Sequence, residues 1–252
     1  MSEGSLGKVW FVGAGPGAVD LLTVRAQNLL AGADFVLFDA LIGAEILQLA
    51  PRARQRSVGK RFGSASTDQA EIDRLLVQAA RDHAQVVRLK GGDPTVFGRL
   101  DEEIDALNAA GIAWEIVPGV TAATAAAAAL GRSLTRRGRA RRVVIATPRT
   151  GRGEPPNQRW AAELDPADTV VLYMAAHVAQ ESASALLAEG FASATAAAVV
   201  YAASRSDQTL QRTTLGELAG GAIAEPAIGE RPALLVIGEP ARSDRVPSGG
   251  GD

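Results

Sequence analysis

The 252 residues contain no cysteine, and histidine occurs only at His83 and His177. The first absence excludes disulfides, thiolate catalysis and Cys-ligated zinc or iron–sulfur clusters. The second leaves a His-based metal site or a Ser-His-Asp triad poorly supplied. His83, in the turn RDHAQ, reads as a solvated turn residue, whereas His177 follows LYMAA at a strand end, where a site-lining role stays open. No apolar run approaches the roughly 20 residues that a membrane-spanning helix needs. The opening MSEGSLGK has no apolar core of a signal peptide, so a cytoplasmic protein is expected. An excess of charge is missing too: the formal net charge is −2, which argues against a nucleic-acid partner held by bulk positive charge, though not against a local basic groove. Metals and covalent nucleophiles are therefore not expected to carry the chemistry.

What is present is an alternation. With 47% hydrophobic and 21% charged residues the composition is that of a globular chain, long enough for one large or two ordinary domains. KVWFVGAG is a short apolar run ending in glycines, a buried strand entering a loop. LLTVRAQNLLAGA carries apolar residues at helical spacing, with Gly32 as a stop. DFVLFD reads as a strand and AEILQLA as a short helix closed by Pro51. Ser66 and Gln69 stand at capping-box spacing ahead of the apolar face Ile72, Leu75, Leu76, Ala79 and Ala80. QVVRLKGGDP is a strand running into glycines, DEEIDALNAAG a helix with acids in its first turn, AWEIVPGV a strand and TAATAAAAAL a small-residue helix.

After the basic stretch TRRGRARR and the Pro/Gly/Arg loop PRTGRGEPPN the alternation resumes. A helix is expected near 158–163, then the strand TVVLYM, the helix VAQESASALLAEG, the strand AAAVVYAA, the segment TLQRTTLGELAGG and the late strand ALLVIGEP. The expectation is two α/β domains, 7–133 and 141–242, with parallel strands and helices on their faces, and a disordered tail over 243–252.

Three glycine loops, VGAGPG, KGGDP and VPGVT, each follow an apolar strand and precede a helix, at the strand ends where open parallel sheets place ligands. Such loops are also glycine-rich for turn geometry alone. The first, Gly13-x-Gly15-x-x-Ala18, approximates the dinucleotide fingerprint, with Asp39 ending the second strand where a ribose-binding acid would stand. Two features count against that reading: Pro16 removes a backbone donor, and the helix begins several residues late, near Asp20 to Thr23. An NAD-type oxidoreductase ranks second.

The segments VWFVGAGPGAVDLLTVRAQNLL, VGKR, VVRLKGGDPTVFGR, PGVTAATAAAAALG, YM and PALLVIGE resemble, in order over about residues 8–240, the uroporphyrinogen-III C-methyltransferases of the tetrapyrrole methylase superfamily. RLKGGDPTVFGR is the specific part. The resemblance implies the tetrapyrrole methylase fold: two α/β domains, the N-terminal sheet mostly parallel and the C-terminal one mixed, with the active-site cleft between them. It implies a homodimer without membrane or nucleic-acid partner, a tetrapyrrole substrate, S-adenosylmethionine (SAM) as methyl donor and no metal. The activity implied is methylation of uroporphyrinogen III at C2 and C7, giving precorrin-2 at the branch to sirohaem and cobalamin.

By the same resemblance Pro16, Gly91, Gly92, Asp93, Val96, Thr121, Ala122, Met174 and Ala233 line the SAM pocket. Arg99 would hold a substrate carboxylate and Glu102 would take the proton; a surface salt bridge and an ordinary first-turn helix acid are the alternatives. Lys60, Arg61 and Met174 join Arg99 on the substrate side, Met174 being equally readable as core filler. TRRGRARR would help neutralise a polycarboxylated substrate or is a solvated linker. The sequence departs from the family pattern at FGSASTDQ, Thr135-Arg136-Arg137, Ala146-Thr147-Pro148 and Tyr201-Ala202-Ala203-Ser204, while Asp207-Gln208 persist. A divergent enzyme acting on a related precursor stays open.

Overall fold

In KVWFVG, strand β1 (Lys8–Gly13), alternate side chains enter two different cores: Val9 and Phe11 pack on one face of the sheet, Val12 on the other. The computed structural model describes residues 6–59, 68–148, 158–222 and 231–242. The chain divides into two compact units, Met1–Ala122 and Ala123–Asp252.

In the first unit β1 is followed by α1 (Val24–Gly32), β2 (Phe35–Phe38), α2 (Ala44–Leu47), β3 (Arg54–Ser57), α3 (Gln69–Asp82), β4 (Gln85–Lys90), α4 (Leu100–Ala109) and β5 (Trp114–Val117). The strands form an all-parallel sheet in the order β3-β2-β4-β1-β5. Ile72, Leu76, Ala79 and Ala80 of α3, with Leu100 and Leu107 of α4, cover the Val9/Phe11 face. Ala26 and Leu30 of α1 and Ile46 of α2 cover the other, against Val12, Val36, Val87 and Leu89. Helices on both faces explain why β1, β2 and β4 read as nearly continuous apolar runs.

Helix α1 does stop at Gly32, its last residue, and Thr23 opens it by accepting a bond from the Ala26 amide at 3.1 Å. Other local expectations need correction. Helix α3 begins at Gln69, which rules out Gln69 as the third residue of a capping box; its amide instead donates to Asp73 Oδ1 at 2.8 Å. Ser66 lies outside the described residues. Strand β3, RQRS, was not foreseen, because all four side chains are exposed and only its backbone pairing with β2 makes it a strand.

The second unit continues with α5 (Ala122–Leu130), whose first residue closes the first unit, then β6 (Val143–Ala146), β7 (Thr169–Tyr173), α6 (Ala179–Ala188), β8 (Ala196–Tyr201), β9 (Thr209–Thr214), α7 (Leu215–Ala219) and β10 (Ala233–Ile237). These strands make a mixed sheet, β6-β7-β10-β8-β9, in which only β6 and β7 run parallel. Its core is aliphatic: Val170, Leu172, Ala197, Val199, Leu235 and Ile237 pack against Ala183 and Leu186 of α6 and Leu215 and Leu218 of α7. TLQRTTLGELAGG resolves into β9 and α7, joined by a capping box between Thr214 and Glu217. The helix expected near 158–163 is a single 3-10 turn, Gln158–Trp160.

Candidate functional site

Strands β4, β1 and β5 are neighbours, so the turns that follow them meet on one rim at the carboxyl edge of the first sheet. They are knitted together by backbone bonds. The Gly15 amide donates to the Gly92 carbonyl (3.1 Å), the Gly92 amide to that of Gly15 (2.7 Å), and the Ala14 amide to that of Lys90 (2.8 Å). The packing needs glycine at two positions: a Cβ on Gly13 would stand 2.6 Å from the Gly119 backbone and 2.8 Å from the Gly92 carbonyl oxygen, and one on Gly119 would overlap that same oxygen. Gly91 is different, since a Cβ there meets nothing within 4 Å: the floor of the rim is open above it.

This geometry disfavours a dinucleotide cradle. The loop amides that would face a pyrophosphate are bonded to the adjacent turn, and α1 starts at Val24, well beyond Gly15. Asp39, the would-be ribose acid, is instead bonded to buried Arg88 at 2.6 Å.

The segment from Asp93 to Arg99 leads from the second turn into α4. The Asp93 carboxylate accepts from the Thr95 amide (2.8 Å), the Thr95 hydroxyl and the Gly119 amide (3.0 Å), tying the second turn to the third. Burial opposes its charge, but these bonds prevail and hold its pKa below the ordinary carboxylate value. Phe97 and Arg99 both adopt the left-handed backbone region, φ +51°. Non-glycine residues there cost about 1–3 kcal/mol each and persist where the surroundings over-determine them, a pattern that clusters at functional sites. Arg99 then opens α4 and forks onto Glu102, Nε to Oε1 at 2.9 Å and Nη2 to Oε2 at 2.7 Å. Both side chains are at least half exposed. The Arg99 hydrogen bond lowers the Glu102 pKa and raises that of Arg99, so Glu102 is an ionised, weak base while the pair is closed.

Beneath this segment lies a charge cluster that the sequence reading missed. Arg88, Lys90 and Glu103 are 2%, 3% and 1% exposed. Glu103 accepts from Arg88 Nε (2.9 Å), Arg88 Nη2 (3.0 Å) and Lys90 Nζ (2.7 Å). Burial, with the Arg88 charge adding to it, depresses the Lys90 pKa; for Arg88 burial works against the charge, but Asp39 and Glu103 outweigh it and raise the pKa. The signal was there in QVVRLK: two cations two residues apart share one face of a strand that is buried from Val86 onward, and they require an acid from the helix packed on that face.

In the second unit Met174 follows β7 in the left-handed region, φ +55°, and is 43% exposed, which argues against core filler. The adjacent Tyr173 hydroxyl accepts from the Ala123 amide at 2.8 Å and so pins the start of α5, next in the chain to Thr121 and Ala122. Ala233 pairs with Tyr201, and Leu234 with Tyr173, placing Met174, Ala233 and the 202–204 turn at one end of the second sheet. Ala202 and Ser204 are left-handed as well, and Gln208 braces the turn by accepting from the Ser204 amide at 2.7 Å. Thr147 follows β6, parallel to β7, at this same end.

In the first unit the contacts join Gly92 and Asp93 to Gly15, Gly119 and Ala122. Pro16, Gly91, Val96 and Thr121 lie near these in the chain, and Arg99 and Glu102 stand at the start of α4, while Met174 and Ala233 lie at one sheet end in the second unit. Lys60 and Arg61 lie outside the described residues. His83 stacks on Phe35 with ring centres 5.1 Å apart; His177 is exposed in a short 3-10 turn. Among the described residues no group of three or more His, Asp or Glu is placed to hold a metal, and no helix is long and apolar enough to cross a membrane.

The basic stretch sits elsewhere. Arg136 and Arg139 pair with Glu239 just past the end of β10, and Arg142 pairs with Asp168 at the start of β7, so these contacts occupy the sheet end opposite Met174 and Ala233. Their partners are the protein's own carboxylates, not a shared surface with Met174.

A model of the tetrapyrrole (corrin/porphyrin) methylases matches residues 8–219. The chain is 44% identical over 236 residues to the uroporphyrinogen-III C-methyltransferase of Pseudomonas aeruginosa, covering 94% of this chain and 95% of that protein. It is 44% identical over 239 residues to siroheme synthase 1 of Serratia proteamaculans, but spans only 49% of that protein. It thus spans about half the length of the siroheme synthases it matches. A crystal structure of the uroporphyrin-III C-methyltransferase from Thermus thermophilus complexed with S-adenosylhomocysteine matches with a TM-score of 0.81, at 37% identity and over 94% of both chains. The glycine-knit rim, the parallel and mixed sheets and these likenesses agree: the chain belongs to the tetrapyrrole methylase family.

Proposed function

We propose that this chain transfers methyl groups from SAM to C2 and C7 of uroporphyrinogen III, giving precorrin-2. The observation that carries the reading is the rim itself. Three strand-end turns are locked together by backbone bonds, open at Gly91, and continued by a strained segment that ends in Arg99 and the first turn of α4 with Glu102. Open space at Gly91 beside turns of small residues and backbone suits a flat adenine, which supports SAM as the ligand of the first unit. Pro16, Gly91, Gly92, Asp93, Val96, Thr121 and Ala122 would hold the donor there. SAM supplies an already activated methyl group, so the protein needs no nucleophile of its own.

What remains for the side chains is alignment, exclusion of water and proton removal. Arg99 offers a planar fork suited to a substrate carboxylate. When a substrate carboxylate takes that fork, Glu102 loses the bond that depresses its pKa and becomes a stronger base beside the reacting ring. Substrate arrival and base activation are then one event. Lys60 and Arg61 would add charge for the remaining carboxylates. The working form on this reading is a cytoplasmic homodimer without a metal.

A second reading, a related tetrapyrrole precursor as substrate, is favoured by one observation. The departures Ala146-Thr147-Pro148 and Tyr201-Ala202-Ala203-Ser204 fall at the Met174 end of the second sheet. Mass spectrometry of uroporphyrinogen III incubated with the protein and SAM tests both. A gain of two methyl groups supports the first reading; an unchanged substrate, with S-adenosylhomocysteine still bound in calorimetry, favours the second. Loss of binding at millimolar ligand overturns both.

A further inference from the structure

Glu102 and Glu103 are neighbours with opposite fates. The Glu102 side chain is 50% exposed, while Glu103 is 1% exposed beneath it. A helix advances about 100° per residue, so whatever fixes Glu103 inward also fixes Glu102 outward. We propose that Glu103, with Lys90 and Arg88 as its donors, is a positioning residue that sets the register of the first turn of α4 and thereby the placement of Arg99 and Glu102. The proposal rests on the assignment of Arg99 to the substrate side.

The segment from Asp93 to Arg99 needs such an anchor. Two non-glycine residues in it, Phe97 and Arg99, stand in the left-handed region, which they would leave if either end were loose. The Asp93 end is tied to Thr95 and Gly119. At the other end, Glu103 receives three charge-assisted bonds of 2.7–3.0 Å, all from β4, the strand that leads directly into Gly91, Gly92 and Asp93. The middle of the segment lies on the same cluster: a Cβ built on Gly98 would stand 3.1 Å from Lys90 Cε and overlap the Pro94 carbonyl. An apolar residue at position 103 would fill the space but impose no direction, whereas bonds to a carboxylate are directional. Asp39, bonded to Arg88 from the end of β2, extends the cluster across β4 to the neighbouring strand.

The test is Glu103→Gln, which keeps the size and removes the charge, read by kcat on uroporphyrinogen III and by calorimetric affinity for S-adenosylhomocysteine. A loss of about 10- to 100-fold in kcat is expected, with the affinity within about threefold of wild type. Because Glu103 acts through Arg99 and Glu102, the same change made in a background that carries Arg99→Lys and Glu102→Gln should lower kcat by less than about threefold further. If Glu103→Gln does not fold, Glu103→Asp keeps the charge, withdraws the carboxylate by one methylene, and is expected to behave in the same way. A folded variant with wild-type kcat, or losses that multiply in the combined variant, overturns the proposal. An Arg99→Ala enzyme with undiminished turnover overturns the assignment of Arg99, and the proposal with it. An inactive Arg99→Ala beside a fully active Glu103→Gln overturns the proposal alone.

Discussion

The two units solve the same problem with different interiors. The first buries Arg88, Lys90 and Glu103 under its sheet, whereas the second packs mainly Val, Leu, Ile and Ala, with Phe191 and Tyr201, and keeps its charged pairs at the sheet ends. Removing several full charges from water costs several kcal/mol per ion and is offset only when every group is bonded. Such a cluster is a poor source of stability. It does specify one geometry, because Glu103 has few alternative partners at that depth. The aliphatic core of the second unit contributes stability without fixing any single side chain so narrowly. Yet both units place strained non-glycine residues in the segments that follow their strands, Phe97 and Arg99 between β4 and α4 in one, Met174, Ala202 and Ser204 just past β7 and β8 in the other. The contrast is therefore in how the strain is held: by buried charge in the first unit, by the Tyr173 and Gln208 side chains in the second.

The largest expected effect falls on turnover. Arg99→Ala should reduce kcat by about 10²–10³-fold, the size typical of losing one group that stabilises or aligns the reacting system, while S-adenosylhomocysteine affinity changes by less than about threefold. Loss of ligand affinity in step with turnover would place Arg99 on the donor side and break the division of roles between Arg99 and the glycine turns. Leu172→Ala in the second core should act the opposite way. Leu172 is fully buried, so the truncation should cost about 2–5 kcal/mol in urea unfolding, with kcat unchanged in the folded fraction. A specific loss of kcat there would show that the second unit's packing also sets the chemistry.

Within the rim, Gly119→Ala and Gly91→Ala form a matched pair. The first drives a methyl into the Gly92 carbonyl and should destabilise by about 1–3 kcal/mol, the usual range for overpacking. The second enters open space and should leave the unfolding midpoint within about 0.5 kcal/mol of wild type. If the space above Gly91 is where the donor lies, Gly91→Ala nonetheless weakens S-adenosylhomocysteine binding by about tenfold or more. Equal stability and equal affinity in both variants would remove the rim from the reading.

How much of this was legible beforehand depended on whether a feature is local. The turns and the late start of α1 follow from spacing and residue type. The alternation of strands and helices likewise showed two α/β units. Strand β3 was not legible, since RQRS has no apolar alternation and owes its conformation to pairing with β2. The Gln69 cap failed for a related reason: the spacing fitted, but α3 begins at Gln69. Arg88 and Lys90 were visible as charges in an apolar strand, yet their partner is set by how α4 packs, which is a tertiary fact. TRRGRARR was open to two readings because nothing local relates it to Glu239, which is 103 residues beyond Arg136.

The smallest expected effect concerns acid. Asp93 joins two turns of the first unit, and Glu217 caps α7 in the second; both carboxyl pKa values are lowered. For Asp93 burial pushes upward, and the bonds from Thr95 and Gly119 overcome it. For Glu217 the bonds from Thr213 and Thr214 are the leading cause. The folded pKa lies below the unfolded one, about 3.9 for Asp and 4.3 for Glu. The stability each acid contributes is therefore fully present above that unfolded value and is lost as the pH falls through the lower folded value. Asp93→Asn should cost about 1 kcal/mol near neutral pH, because the bonds weaken when the acceptor is neutral, and the deficit should shrink on acidification toward about pH 3. Glu217→Gln should shift the unfolding curve in the same direction over the same window, so stability alone does not separate the two acids. Ligand binding does: acidification should weaken S-adenosylhomocysteine binding in wild type and in Glu217→Gln, and much less in Asp93→Asn, whose rim is already loosened at neutral pH. Equal pH profiles in all three proteins would mean that the tie between the second and third turns does not shape the site, and that the first unit's advantage in holding its geometry lies in the buried cluster alone.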